Sequence, residues 1–199
     1  AFAPSFGAFN LQSGVRLVRG ELIVDGFSMF SQLLMLIVGL LALLPMIDRT
    51  GSRVSAFAGQ PSDIPGSFQE EQTERRGYQR SEVLPLSLFS LGGMMLFPMA
   101  NSILTLFVAL EIISLPLYAM TAMARYRRLL SQEAALKYFV LGAFASGFML
   151  MGMSLLYGYS GSLLLDQLAL AIPYQVASPA LLLTGAALMM VGLLFKIGA

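Results

Sequence analysis

The chain alternates between long apolar runs and short segments that hold nearly all of its charge. A helix needs about 20 predominantly apolar residues to cross a hydrocarbon core of about 30 Å. Five runs meet that requirement and predict an all-α membrane protein with five transmembrane helices. They span 27–47, with no charge; 83–100, behind Glu82 and with Pro85 tolerated in its first turn; 103–124, containing Glu111; 131–157, with Ser131 as N-cap and Lys137 inside; and 180–199, with Lys196 near its end. Residues 1–26 hold Pro4, Asn10, Arg16, Arg19, Glu21 and Asp25, so they form an extramembrane segment or the remnant of a preceding helix. Residues 48–82 mix both signs of charge with Gly, Ser and Pro, without hydrophobic periodicity, and predict a flexible loop. Its cluster from Gln69 to Arg76 reads as a solvated stretch rather than a helical turn. Residues 158–179 form the remaining long loop.

The loops predict the orientation, because short cytoplasmic loops collect Lys and Arg. Loop 48–82 carries Arg49, Arg53, Arg75, Arg76 and Arg80, and loop 125–130 carries Arg125, Arg127 and Arg128, so both belong on the cytoplasmic side. Residues 100–102 hold no cation and 158–179 only Asp166, which assigns them to the outer side. Arg16 and Arg19 then lie on the outer side against the rule, diluted by Glu21 and Asp25. Small residues, Gly142, Ala143, Ala145, Ser146 and Gly147 in the fourth helix and Gly185, Ala186 and Ala187 in the fifth, predict close helix packing. Tyr126, Tyr157, Tyr159 and Tyr174 lie at or beyond helix ends, where interfacial anchors belong.

Composition narrows the chemistry. The 199 residues are 57% hydrophobic and 12% charged, with a net charge of +1, which gives no electrostatic reason to expect nucleic acid as a partner. With no Cys, His or Trp, thiolate iron-sulfur ligation, disulfides, zinc sites and the usual axial haem ligands are excluded. Any redox chemistry runs elsewhere. Ala1 is not an initiator Met and Ala199 follows closely on the apolar run Leu193, Leu194, Phe195, so the sequence reads as a fragment of a longer chain.

Besides Glu133 near the start of the fourth run, three charges lie inside the apolar runs. Each costs about 2.5–3.5 kcal/mol near a helix centre, so together they ask for roughly 8–10 kcal/mol of compensation. Of the twelve cations ten are Arg, all outside the runs, whereas the two Lys, Lys137 and Lys196, are both inside. Arg stays protonated under biological conditions, while Lys and Glu in desolvated sites can take up and release a proton. Glu111, Lys137 and Lys196 are therefore candidate members of a proton relay. Glu111 lies about 12 Å along its helix, too deep for a short side chain to escape, which leaves a functional role or a structural ion pair. Pro116 cannot bond the carbonyl of Ile112 and predicts a bend beside the carboxylate. Lys137 has two readings: relay member, or a stem that snorkels to the interface and pairs with Glu133 one turn away. Lys196 lies about 24 Å along its helix, so counting does not bring it into contact with Glu111.

Two strings carry a resemblance: Ala109-Leu-Glu111-Ile-Ile-Ser-Leu-Pro116-Leu-Tyr118, and Glu133-Ala-Ala-Leu-Lys137-Tyr-Phe-Val-Leu-Gly142-Ala-Phe-Ala-Ser-Gly147-Phe. They resemble subunit N, also called subunit 2, of the proton-pumping NADH:quinone oxidoreductase, respiratory complex I. Residues 154–162, the run Val191-Gly192-Leu-Leu-Phe195-Lys196 and Asp25-Gly26-Phe27 extend the resemblance over most of 22–199, loop 48–82 excepted. It implies the third to seventh helices of an antiporter-like bundle of inverted repeats, a family that includes Mrp-type cation/proton antiporter subunits. Glu111 then matches the family's intramembrane glutamate, Lys137 the lysine opening its sixth helix, and Lys196 the lysine of its broken seventh helix, with the break placed beyond Ala199. The implied function is proton translocation coupled to quinone reduction elsewhere in the complex, with Glu111 acting electrostatically on Lys196. No cofactor is expected in this chain; NADH, FMN, iron-sulfur clusters and quinone are implied in partner subunits. The implied setting is the bacterial plasma membrane, among the other membrane subunits of complex I, with lipid and protons as the remaining partners. An Mrp-type antiporter subunit and a purely structural membrane scaffold are the alternatives.

Overall fold

The computed structural model describes residues 14–47, 66–75, 82–123, 128–174 and 177–198. Residues 1–13, most of 48–82, and 125–127 of the loop assigned to 125–130, with Tyr126, lie outside these; 128–130 of that loop are helical. A hairpin of β1 (Val15–Leu17) and β2 (Leu22–Val24) opens the described chain. It is followed by α1 (Gly26–Ile47), α2 (Phe68–Arg75), α3 (Val83–Leu96), α4 (Ile103–Ala122), α5 (Arg128–Ser160), α6 (Leu165–Ala171) and α7 (Pro179–Ile197). Four of these helices, α1, α4, α5 and α7, are long and apolar enough to cross a membrane.

Several elements differ from the sequence expectation. The second apolar run is short: α3 gives way at Leu96 to a 3-10 turn over Phe97–Met99, because Pro98 has no N–H for the carbonyl of Met94. The fourth helix starts at Arg128, so Ser131 lies within its first turn and does not cap it. Its 33 residues span about 50 Å, more than a bilayer core. Residues 158–179 are not a plain loop, since the end of α5 and all of α6 fall there. Within 48–82, the stretch expected to be irregular is helical over Phe68–Arg75. Segment 1–26 is not the remnant of a helix over 15–24, where β1 and β2 pair as a hairpin.

Caps explain the helix starts. Asp25 and Ser28 form a reciprocal box at α1: Ser28 N donates to Asp25 Oδ1 (2.7 Å) and Asp25 N to Ser28 Oγ (2.9 Å). Ser102 accepts from Leu104 N at α4, and Ser178, followed by Pro179, accepts from Ala180 N at α7. α7 closes with Gly198 in the left-handed region (φ 84°), two residues after Lys196.

The helices pack as a row, α1 on α3, α3 on α4, α4 on α5 and α5 on α7. Contacts along α5 set the register: Gly152 faces Gly185, Met149 faces Gly192, and nearer the start of α5 Gly142 faces Tyr118 of α4. α7 therefore runs antiparallel to α5, and the hydrogen bond of Ser146 with Glu111 gives α4 the same sense. A Cβ on Gly152 would lie 2.6 Å from Met189 N and 2.7 Å from the Gly185 carbonyl, so backbones meet there directly. The predicted small-residue patch is split: Gly142, Ala145, Ser146 and Gly185 are buried, while Ala143, Gly147, Ala186 and Ala187 face outward. The helical period of 3.6 puts neighbours in sequence on different faces. Tyr159 is also buried and is not an interfacial anchor, unlike the exposed Tyr157 and Tyr174.

One end of the row is closed by three segments that meet at Asn101. Its N–H donates to Glu21 O, its side-chain amide to Gly20 O, and its carbonyl accepts from Leu165 N, all at 2.8 Å. Ile103 N donates to Leu163 O (2.9 Å), and Ile103, Met153 and Leu156 form the core beneath. Arg16 pairs with Asp166 at 2.8 Å, so this cation is balanced by the loop 158–179; Glu21 instead accepts from Thr105 (2.9 Å) and Asp25 caps α1.

Gly152→Ala forces α5 from α7 and is expected to cost about 1–3 kcal/mol, lowering the thermal midpoint of the purified protein by several degrees. Gly147→Ala, with no atom within 4 Å of the added carbon, leaves the midpoint unchanged.

Candidate functional site

Glu111, Ser114 and Tyr118 are spaced i, i+3 and i+7 along α4 and share one face of it. Opposite them, α5 presents Ser146 and Gly142, one turn apart. Lys196 enters from the last turn of α7. Its Nζ lies 3.0 Å from Glu111 Oε1 and 3.0 Å from Ser114 Oγ. Ser146 Oγ donates to the same Glu111 oxygen at 2.6 Å. Ser114, while accepting from Lys196, passes its own hydrogen to the Leu110 carbonyl at 2.7 Å. The Lys196 side chain is 9% exposed and that of Glu111 24%.

This contact overturns the expectation from counting. Counting assumed that α4 and α7 start at one depth. The pairing of Gly185 with Gly152 and of Glu111 with Ser146 shows that α7 starts about one turn, roughly 5 Å, beyond the start of α4. The Cα–Cβ bond of a helical residue also tilts toward the N-terminus, so the long Lys196 side chain leans back along α7. Offset and reach together close the gap.

Lys137 stands apart. It is nine residues from Ser146, about 13 Å along α5, and pairs with Glu133 on the same helix. Its side chain is 69% exposed. Pro116 is buried in α4, which continues through it as one helix to Ala122.

Three further residues belong to the site's surroundings. Ser114 is detectable from its spacing to Glu111, whereas Ser146 is hidden among small residues that suit packing equally well. Tyr118 lies edge-on to Tyr138 (4.6 Å between centroids) and Phe139 (5.8 Å), and a Cβ on Gly142 would collide with its hydroxyl. Among the described residues no three acidic, His or Cys side chains gather as a metal site would require. The cluster's chemistry is that of an acid-base pair: one carboxylate and one ammonium, each able to exchange a proton, with two hydroxyls fixing their geometry.

The family model described as NADH:quinone oxidoreductase/Mrp antiporter, TM, matches residues 100–199, which include Glu111, Ser114, Ser146 and Lys196. The chain is 52% identical to NADH-quinone oxidoreductase subunit N of a Nocardioides species, over 92% of this chain and 34% of that protein. It is 46% identical to the subunit N of Mycobacteroides abscessus, over 92% of this chain and 36% of that protein. The chain thus spans about a third of the length of the curated relatives it matches. Among solved structures it resembles a chain of respiratory complex I from Thermus thermophilus with bound aureothin, at a TM-score of 0.62 and 32% identity, covering 94% of this chain and 34% of that one. A chain of the membrane-bound sulfane sulfur reductase, an archaeal respiratory membrane complex, aligns at a TM-score of 0.62 and 25% identity, over 87% and 30% of the two chains.

The Glu133–Lys137 pair is a same-helix pair with both side chains mostly exposed. Lys137→Gln or Glu133→Gln is expected to change stability by less than about 0.5 kcal/mol in thermal melts of the purified protein. A loss above about 2 kcal/mol would mean that this pair is desolvated in the assembled protein.

Proposed function

The chain belongs to the NADH:quinone oxidoreductase/Mrp antiporter membrane family and is a multi-pass integral membrane protein, and from that premise we propose that it is a proton-translocating part of subunit N of respiratory complex I. The observation that carries the reading is the contact of Lys196 with Glu111 inside apolar helices, at 3.0 Å. Each charge is the other's counter-ion in a medium where an isolated charge is costly. A proton delivered to the Glu111 carboxylate removes the counter-charge of the Lys196 ammonium, which then favours passing its own proton onward. Transfer of the proton on Glu111 to the neutral Lys196, across their contact, restores the pair, so that one proton has been taken up at Glu111 and one released from Lys196. Ser114 keeps Lys196 seated on α4 while the carboxylate is neutral.

In this reading the chain carries no redox centre. NADH, FMN, iron-sulfur clusters and quinone belong to partner subunits, and the state of quinone there shifts the balance of the pair through the neighbouring membrane subunits. The membrane is the bacterial plasma membrane, with 48–82 and 125–130 on its cytoplasmic side by the distribution of Arg. Lys137 contributes as an outlying group on α5 rather than as a member of the contacting pair.

The test introduces Glu111→Gln or Lys196→Ala into the full-length protein in its native membranes. Both are expected to leave assembly intact, as seen by comigration with NADH oxidation activity on a native gel, and to depress proton uptake by vesicles per NADH oxidised several-fold. Lys137→Ala is expected to depress it less. Loss of assembly with normal pumping by whatever assembles would favour a scaffold, and Na+-dependent proton movement without NADH activity would favour an Mrp-type antiporter; either result overturns the reading.

A further inference from the structure

Resting on that reading, we propose that Ser146 is a positioning residue of the pair, selecting which oxygen of Glu111 meets Lys196 and holding it there. A carboxylate turns freely about its terminal bond, and α4 alone does not determine which oxygen faces α7. In the structure both donors converge on one atom, Oε1: Ser146 Oγ at 2.6 Å and Lys196 Nζ at 3.0 Å.

Helical hydroxyls take two courses in this chain: several bond within their own helix, whereas Ser90, which donates to Ile113 O, Thr105, which donates to Glu21 Oε2, and Ser146 reach outside it. Ser87, Ser114, Ser154 and Thr121 each return their hydrogen to the carbonyl four residues earlier, the usual local solution in an apolar helix. Ser146 gives its hydrogen to a carboxylate on another helix instead. Its position is fixed from both sides along α5: Gly142, one turn before it, is pressed against Tyr118 of α4, and Ala145 and Met149 are pressed against Gly192 of α7. With a single rotatable bond before the hydroxyl, the donor inherits the placement of the α5 backbone. A donor held this way keeps Oε1 turned toward Lys196. When Glu111 takes up a proton, the Ser146 hydrogen turns to the carbonyl of Gly142, and no proton leaves the serine.

The experiment is a double-mutant cycle in native membranes, with coupled proton uptake per NADH oxidised as the readout. Ser146→Ala is expected to lower it by about three- to tenfold, the scale of one charge-assisted hydrogen bond only partly needed for transport. Ser146→Thr, which keeps the hydroxyl, restores most of the loss. In a Glu111→Gln background Ser146→Ala is expected to add nothing, since its partner is already gone. Ser146→Cys keeps the volume, gives up the strong donor and supplies the same comparison where the alanine variant assembles poorly. An additive loss in the Glu111→Gln background, or a cysteine variant that pumps normally, would overturn the proposal and leave Ser146 a packing residue. If Glu111→Gln itself pumps normally in assembled complex, the reading of the pair fails; if it is impaired and the Ser146 variants are not, this inference alone fails.

Discussion

A carboxylate and an ammonium placed among apolar helices stabilise each other only while both are charged and in contact. Removing one partner of such a buried pair typically costs about 3–5 kcal/mol, because the other charge is left stranded. The pair therefore demands tolerances of a fraction of an ångström from helices that have no hydrophobic drive to associate in lipid. In this chain the demand falls on α5, which lies between α4 and α7 in the row and touches both. Its Gly152 lets α7 approach to backbone distance, its Gly142 makes room for the Tyr118 ring of α4, and the side chain between those points, Ser146, reaches the carboxylate. α4 and α7 themselves scarcely touch, and Lys196 bridges the gap between them. A residue with a shorter side chain at this position would leave the two helices electrostatically independent.

The depth of Glu111 is set at the other end of α4. Backbone groups at a helix start have no partner within the helix. Here they are satisfied by the hairpin and the α5–α6 connection, through Asn101, Ser102 and Ile103. Tying α4 to Leu163 and Leu165, just past the end of α5, fixes the sliding coordinate between α4 and α5 that decides whether Glu111 meets Ser146. The polar closure at one end and the ion pair eight residues below it are thus parts of a single register.

The apolar runs made the helices legible, because spanning length and absence of charge are properties of contiguous sequence. What failed depended on neighbours. Pro98 shortened the second run from within, and Ser131 had the right chemistry for a cap but lay inside a helix that starts three residues earlier. Arg16 looked like an exception to the charge rule until its partner Asp166, 150 residues away in sequence, came beside it. That Glu111 and Lys196 need partners was readable from their cost in an apolar run. Their contact was not, since helix counting fixes position within a helix and says nothing of the offset between helices. Ser146 was in view as a small residue, and nothing in sequence distinguishes a serine that packs from a serine that donates.

The two lysines show where composition stops and geometry begins. Arginines confined to the loops and lysines confined to the helices suggest that both lysines serve one chemistry. Their surroundings separate them. Lys137 sits in the third turn of α5, paired with an acid on its own helix and mostly exposed. Lys196 is nearly enclosed, its counter-ion belongs to another helix, and a hydroxyl waits as a second acceptor. Gain or loss of one proton there changes an interaction between helices rather than within one. In the proposed relay a protonation event at Lys196 or Glu111 therefore acts between α4 and α7, whereas one at the Glu133–Lys137 pair acts within a single helix.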